Sequence, residues 1–247
     1  MSLISPLCRT GRKKPLQSII KALAPKDFKK YVEPFVGSGD VYFYLNINPD
    51  TPSVINDLDK NISTAFKILK SNPSIDNIDR FKDKSLEQVR SFVKQSHTSP
   101  LDKLAKIIYD LCGVFAGAKS GSKIYKNSNI EPKLRKIPKY AEYMKNTKVL
   151  NQDYKSVIRS NDSKDTFFYL DPPYESSKGL YSNSDMNYNE LANVLSKVKG
   201  KFILSLNDSA NIRDIFKQFN IQSVSVHGHN NVGAGTGTRK EIIIKNY

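Results

Sequence analysis

The chain has 247 residues, 38% of them hydrophobic, so it can bury a full core as one large domain or as a domain with an insertion. No apolar run approaches the roughly 18 residues that a membrane span needs, and the opening MSLISPLCRT lacks the apolar stretch of a secretory signal, which predicts a cytoplasmic protein with no membrane partner. With 39 basic against 24 acidic side chains, the net charge of +15 favours a polyanionic partner, nucleic acid first, over a lysine-rich surface that serves solubility alone.

The two cysteines, Cys8 and Cys112, lie far apart in the sequence and lack the spacing of metal ligands. A disulfide framework and a zinc site are therefore not indicated, and we expect two reduced thiols and no metal. Cys112 falls on the apolar face of a predicted helix, so a core position is expected.

The first part of the chain predicts two strand–helix units. YVEPFVGSGDVYFYL, from residue 31, predicts a short strand, a turn at Gly37 and Gly39, and the start of a helix. SVINDLDKN predicts a second strand with polar residues at its end. KNISTAFKILK predicts a helix whose apolar face comprises Ile62, Ala65, Phe66 and Leu69.

Residues 61–146 have a different character and predict a mostly helical insertion. SLEQVRSFVKQS carries a capping-box pattern at Ser85 and Gln88, and LDKLAKIIYDLCGVF has helical spacing. A loop rich in Gly, Ser, Lys and Asn follows, GAKSGSKIYKNSN. The segment holds 17 basic and 8 acidic residues, so it carries more than its share of the positive charge.

The last part of the chain predicts five strands. They lie in TKVLNQDY, TFFYLDPPY, KFILSLND, IQSVSVHG and KEIIIKNY. Residues 1–60 and 147–247 are therefore assigned to one α/β domain, and residues 61–146 to the insertion. HNNVGAGTGTRKE, between the last two strands, is either a plain hairpin loop or one whose Asn, Gly and Arg residues touch phosphates. His227 and His229 are assigned no role.

The glycine turn predicts a cofactor site. In an open α/β sheet, ligands bind at the carboxyl ends of the strands, where a Gly-rich first turn lets a cofactor approach the backbone. EPFVGSGD fits that place, and Asp57, about 20 positions later, fits an acidic residue that holds ribose hydroxyls. Ordinary turns also contain G-x-G, and the third glycine of a dinucleotide fingerprint is absent.

Asp-Pro-Pro-Tyr, residues 171–174, predicts chemistry on an amine. The exocyclic amine of a base is a weak nucleophile because its lone pair is delocalised into the ring, and two acceptors on its N–H groups would free that pair. The carboxylate of Asp171 and the carbonyl of Pro172 are suitable acceptors, held by the fixed φ of two prolines. Tyr174 can stack on a base taken out of its helix. The alternative is a rigid turn that ends a strand.

These motifs resemble the Dam-like class of N6-adenine DNA methyltransferases, which use S-adenosylmethionine. The resemblance rests on GRKKPL, VEPFVGSG, INDLDKN, NQDY, YLDPPY and GTGTRKEIIIKNY, in that order. It covers nearly the whole chain outside the insertion. The chain departs from the family's usual opening motif at residues 9–12, where an aromatic residue and two glycines are common.

The resemblance implies a Rossmann-like α/β fold: a mostly parallel seven-stranded sheet with a reversed last strand and an inserted helical DNA-recognition domain. It implies a cofactor pocket for S-adenosylmethionine, formed by Lys13, Glu33, Pro34, Phe35, Gly37, Asp57, Asp153 and Asp171. It implies a catalytic pocket for the target base, formed by Asp171, Pro172, Pro173 and Tyr174.

The expected partner is double-stranded DNA, methylated on a flipped adenine. Basic residues of the insertion loop and the last hairpin are assigned to DNA, namely Lys119, Lys123, Lys126 and Arg239. A cognate restriction endonuclease is a possible further partner. The chain is expected to be a monomer or a weak dimer, and the sequence does not identify the DNA recognition site. Two alternatives remain at this stage: a methyltransferase acting on RNA adenine, and a catalytically silent DNA-binding subunit with the same fold.

Overall fold

The computed structural model describes residues 3–8, 13–112, 129–174, 186–229 and 236–247. Seven strands form one sheet: β1 Lys30–Glu33, β2 Ser53–Asn56, β3 Thr147–Leu150, β4 Thr166–Leu170, β5 Lys201–Asn207, β6 Asn220–His229 and β7 Thr236–Lys245. The α-helices of the described residues are α1 Gln17–Leu23, α2 Asp40–Leu45, α3 Lys60–Lys70, α4 Leu86–Lys94, α5 Pro100–Cys112, α6 Glu131–Leu134, α7 Ile137–Tyr143, α8 Tyr154–Asn161, α9 Tyr188–Leu195 and α10 Ala210–Ile215.

The strands lie in the order β3-β2-β1-β4-β5-β7-β6. β1 pairs in parallel with both β2 and β4, which puts Val32 beside Val54 and beside Phe168. β7 is antiparallel to both β5 and β6 and inserts between them. The mostly parallel seven-stranded sheet with a reversed last strand is therefore confirmed.

Helices cover both faces of the sheet, as a parallel sheet of continuously apolar strands requires. Alternate residues of each strand belong to two different cores. Tyr31, Phe167 and Tyr169 pack with helices α1 to α7 on one face. Phe168 and Leu170 pack with α8, α9 and α10 on the other. The segments that leave the carboxyl ends of β1, β2 and β4 therefore begin between two fixed layers.

The described part of the insertion is helical. The predicted capping box forms at the start of α4, where Ser85 and Gln88 satisfy each other's backbone N–H groups. The predicted apolar face of α3 is buried, and α3 packs against α5, α7 and β3. The first core thus continues from the sheet into these helices, and the domain boundaries at residues 60 and 146 stay a prediction. No helix of the described residues has the length and apolarity to span a membrane.

Candidate active site

Acidic side chains from three neighbouring strands meet at the carboxyl edge of the sheet. Glu33 ends β1, Asp57 follows β2 and Asp171 follows β4. Glu33 is buried and accepts a hydrogen bond from the Tyr31 hydroxyl at 2.6 Å. Burial raises the pKa of Glu33 well above its ordinary value, and the nearby charges of Asp171 and Asp57 add to the rise. The edge therefore brings together carboxyl groups that oppose one another's ionisation.

The glycine turn after β1 is held by the second strand. Gly37 donates its backbone N–H to Asp57 Oδ2 at 2.9 Å, and Val36 donates to the Asn56 carbonyl at 2.8 Å. Gly37 has φ +51°, and a Cβ added there would meet nothing within 4 Å. Gly39 has φ +75°, and its added Cβ would lie 2.8 Å from the Phe66 ring. Gly37 therefore faces open space, which fits a bound cofactor, whereas Gly39 is required for packing.

Asn56, at the end of β2, ties three loops together. Its Nδ2 donates to the Pro34 carbonyl at 2.9 Å and to the Gln152 carbonyl at 3.0 Å, and its Oδ1 accepts from the Gln152 N–H. Asn151 adds a hydrogen bond to the Asp57 carbonyl at 2.8 Å. The loops after β1, β2 and β3 are thereby fixed relative to one another, so this edge of the sheet is preorganised.

Phe35 and Asp153 stand where the first and third strands end. The Phe35 ring lies 5.2 Å from the ring of Tyr154, centroid to centroid. Asp153 caps α8, since its side chain accepts the Lys155 N–H at 2.9 Å. Their assignment to the cofactor, like that of the other pocket residues, stays a prediction.

Asp171 lies at the centre of the site and is held on two sides. Its Oδ1 is 2.8 Å from the Lys13 Nζ and 3.3 Å from the Ser205 Oγ, which donates to it. Burial raises the pKa of Asp171 above its ordinary value, while the Lys13 ammonium opposes the rise. Lys13 is itself buried. The predicted cofactor residue Lys13 is thus placed against the predicted catalytic carboxylate.

Tyr174 extends the site beyond the two prolines. Its hydroxyl donates to Glu241 Oε2 at 2.7 Å, and the Lys13 ammonium lies 4.5 Å from its ring centroid. Burial raises the pKa of the Tyr174 phenol well above its usual range, so the hydroxyl stays a donor. The Tyr188 hydroxyl donates to the Pro173 carbonyl at 2.6 Å and fixes the backbone of the turn. A lysine and an aromatic ring therefore flank the same carboxylate.

Four residues of this arrangement are absent from the sequence prediction: Asn56, Tyr188, Ser205 and Glu241. Ser205 interrupts the apolar pattern of KFILSLN, and Glu241 stands directly before three isoleucines. A polar residue inside a fully buried strand is a sign that it meets a polar partner. Which partner it meets depends on the strand order, which one sequence does not contain.

The residues assigned to DNA are not placed by the structure. Lys119, Lys123 and Lys126 lie outside the described residues. Arg239 belongs to β7, and its side chain lies outside the described part. These assignments stay predictions.

The cysteines are nearer to each other than their sequence separation indicates. Both thiols are reduced, and Lys133 Nζ lies 3.4 Å from Cys8 Sγ and 3.1 Å from Cys112 Sγ. Cys112 is only half-buried, at the edge of the first core. In the described residues, no group of three or more His, Cys, Asp or Glu side chains is placed to hold a metal ion.

Two curated methyltransferases are similar to this chain in sequence. The Type II methyltransferase M1.LlaDCHI of Lactococcus lactis subsp. cremoris is 27% identical, over 96% of this chain and 93% of that protein. The Type II methyltransferase M.MjaIII of Methanocaldococcus jannaschii is 28% identical, over 84% of each chain. The crystal structure of an S-adenosylmethionine-dependent O-methyltransferase from Thermotoga maritima matches 96% of this chain and 66% of its own, with 10% identity and a TM-score of 0.46.

A family model also matches this chain, over residues 10–107 and 114–228. The match includes the glycine turn, Asp57 and the Asp-Pro-Pro-Tyr motif, which the fold brings to one edge of the sheet. S-adenosylmethionine is the cofactor that this family implies, and the open space at Gly37 fits it. The chain therefore belongs to the D12 class of N6 adenine-specific DNA methyltransferases.

Proposed function

We propose that this chain methylates the N6 atom of an adenine that is flipped out of double-stranded DNA, by direct transfer without a covalent enzyme intermediate. The observation that carries the proposal is the placement of Asp171 at the end of β4, beside Lys13 and next to Tyr174. S-adenosylmethionine supplies an electrophilic methyl group on a positively charged sulfur. The residues of the chain have to supply a nucleophile in the correct position.

Asp171 and Pro172 activate the amine. The Asp171 carboxylate accepts one N–H of the adenine amine, and the Pro172 carbonyl accepts the other, so the nitrogen lone pair turns away from the ring towards the methyl carbon. As the amine takes the methyl group, the bond between that carbon and the sulfonium sulfur breaks, so the sulfur leaves as a neutral thioether and the amine becomes cationic. The Asp171 carboxylate stabilises that charge before the proton leaves for solvent. An acceptor fixed by the proline backbone needs no reorganisation at the moment of reaction.

Lys13 occupies the place of the base in the free protein. Its ammonium pairs with Asp171 Oδ1 at 2.8 Å and covers the Tyr174 ring at 4.5 Å. An adenine that bonds to Asp171 and stacks on Tyr174 must displace Lys13 from both. In the free protein the ion pair with Lys13 therefore compensates the buried charge of the Asp171 carboxylate until the base binds.

The cofactor binds at the glycine turn after β1. Gly37 presents open space, and Asp57 lies beside the turn with its carboxylate already oriented by two backbone N–H groups, those of Gly37 and Asp59. Asp57 holds the ribose hydroxyls in this proposal. The net charge of +15 supplies affinity for the DNA backbone without regard to sequence.

Methyl transfer to different polymers tests this function. The purified chain is incubated with S-adenosylmethionine labelled in the methyl group and, in parallel, with duplex DNA, single-stranded DNA and RNA of mixed sequence. We expect label in duplex DNA. Label in RNA alone would contradict the proposal in favour of an RNA methyltransferase. Binding of DNA with no transfer to any polymer would favour a catalytically silent subunit.

A further inference from the structure

Glu241 is a buried carboxylate that the proposed reaction does not use. It lies on β7, opposite Asn207 of β5, and is 6% exposed. Its Oε2 accepts the Tyr174 hydroxyl at 2.7 Å. None of the ion pairs within the described part of the chain includes Glu241. The side chain that it contacts through a hydrogen bond, Tyr174, is a neutral phenol.

This location is unfavourable for a carboxylate that serves the fold alone. Burial of a charge is costly unless strong partners compensate it, and a phenol is a single donor. Asp171, a second carboxylate, is close enough that Glu241 opposes its ionisation. An apolar side chain at position 241 would continue the run of Ile242 and Ile243, which are buried in the sheet. Stability alone therefore does not explain a carboxylate at position 241. Its contact with Tyr174 needs a functional explanation.

The Tyr174 ring is the part of the motif that the backbone leaves free. The two prolines fix φ at residues 172 and 173, and the Tyr188 hydroxyl holds the Pro173 carbonyl at 2.6 Å. Neither constraint acts on the side-chain torsions of Tyr174. The hydrogen bond to Glu241 anchors the far end of the ring and thereby fixes the plane of its face.

We infer that Glu241 is a positioning residue for the target base, because it holds Tyr174 in the orientation in which a flipped adenine stacks. This inference rests on the proposed function. Glu241 acts from a different strand than the Asp-Pro-Pro-Tyr motif, so β7 as well as β4 shapes the base pocket. Stacking of a base on an aromatic ring is sensitive to the plane of that ring.

Three variants test the inference: Glu241→Ala, Glu241→Gln and Tyr174→Phe. The first removes the acceptor, the second keeps an acceptor oxygen without the charge, and the third keeps the ring but removes the donor. We expect Glu241→Ala and Tyr174→Phe each to lower the single-turnover rate of DNA methylation about tenfold, as loss of one hydrogen bond to a charged group does. Glu241→Gln should retain most of the rate at neutral pH.

The double variant Tyr174→Phe with Glu241→Ala should be no slower than the slower single variant, because both changes break one interaction. Affinity for S-adenosylmethionine should stay unchanged in all of them. Additive losses in the double variant would contradict the inference. An unchanged rate in Glu241→Ala would contradict it as well.

Tyr42→Phe is the matched structural control. It also removes a hydrogen bond of a tyrosine hydroxyl, the 2.6 Å contact between the hydroxyls of Tyr42 and Thr147, both of which are buried. If Glu241 served stability alone, the two tyrosine variants would lose thermal stability and activity in parallel. We expect Tyr42→Phe to lose stability and keep its rate. The proposed function itself fails only if the unchanged chain methylates no adenine in duplex DNA. That outcome does not depend on the rates of the variants relative to the unchanged chain.

Discussion

At the scale of single residues, Asp171 is the group on which the proposed chemistry depends. Its carboxylate is 20% exposed and faces charged groups from separate parts of the chain. Lys13 before α1 lowers its pKa, Glu241 on β7 raises it, and burial raises it most. A carboxylate whose pKa is raised in the folded protein is ionised only above that pKa. The activity therefore falls as the pH falls, and it does so at a higher pH than an exposed aspartate would give.

The pH profile of the methylation rate should respond in opposite directions to the two charged neighbours of Asp171. Lys13→Met removes the ammonium that lowers the pKa of Asp171, so the acidic limb of the profile should move to higher pH. Glu241→Gln removes the opposing charge, so the limb should move to lower pH. Single-turnover rates at DNA concentrations well below saturation report the free protein, in which Lys13 pairs with Asp171, so such rates between about pH 4 and pH 8 measure both shifts. A limb that stays in place in both variants would show that Asp171 is not the titrating group.

The residues that complete the site could not be predicted from their own positions. Asp171 and Tyr174 stand in a motif whose chemistry is local, because four consecutive residues supply the acceptors and the ring. Glu241 and Ser205 reach that motif from other strands, through the order β4-β5-β7. When strand order brings two side chains together, neither local sequence identifies the other partner. The sequence shows only a polar residue within an apolar run.

At the scale of elements, the turn after β1 and the end of β2 act as one unit. Asp57 accepts the N–H groups of Gly37 and Asp59, each at 2.9 Å. Asp57→Ala should therefore weaken the binding of S-adenosylmethionine by about 1.5 to 3 kcal/mol, the range for hydrogen bonds to a charged group. Calorimetric titration measures this change directly. Equal affinity in the variant and the original chain would show that Asp57 does not hold the cofactor.

Asp59→Ala is the control for that experiment. Asp59 caps α3, and its side chain accepts the Asn61 N–H at 3.0 Å. Loss of an N-cap costs about 1 kcal/mol of folding stability. This variant removes a carboxylate two residues from Asp57, so it should lower the melting temperature without a comparable loss of cofactor affinity.

The predictability of the elements follows from how much of their pattern is local. α3 and α4 were predicted because an apolar face or a capping box is visible within one turn or two. The helices α8, α9 and α10 were not predicted, although each begins with a side-chain cap, at Asp153, Asn187 and Ser209. They are six to eight residues long, and short helices depend on tertiary packing rather than on their own propensity.

At the scale of the whole molecule, the seven strands could be predicted because each is a short apolar run that ends in polar residues. The family resemblance implied a mostly parallel sheet with a reversed last strand, but the order β3-β2-β1-β4-β5-β7-β6 is known only from the structure, because the sequence of a strand does not specify its neighbours. Both strands of the last hairpin are longer than predicted. β6 continues to His229, and β7 begins at Thr236. Residues 236–239 of the predicted hairpin loop thus belong to β7, and His229 belongs to β6.

The positive charge of the whole molecule predicts salt-dependent DNA binding. If Lys119, Lys123 and Lys126 neutralise phosphates, changing all three to Ala should weaken binding to any DNA sequence. The slope of log affinity against log salt concentration should become shallower by about 0.9 for each lost contact. Affinities at several salt concentrations give this slope. Cofactor affinity should not change.

A second triple variant separates local contacts from a loss of net charge. Lys197, Lys199 and Lys217 are exposed in the part of the chain that packs on the opposite face of the sheet from α1 to α7. Changing these three to Ala removes the same charge and should leave the salt slope nearly unchanged. Equal slopes in the two triple variants would show that the loop lysines have no special place at the DNA.

The central claim, that Asp171 activates the amine of adenine in DNA, is tested most directly by nucleoside analysis after a single turnover. DNA methylated by the unchanged chain is digested, and its nucleosides are separated and weighed by mass spectrometry, beside DNA treated with Asp171→Ala. We expect N6-methyladenine from the unchanged chain and at least about a hundredfold slower formation from the variant, with cofactor binding retained. A different methylated base, or near-normal formation by Asp171→Ala, would contradict the account.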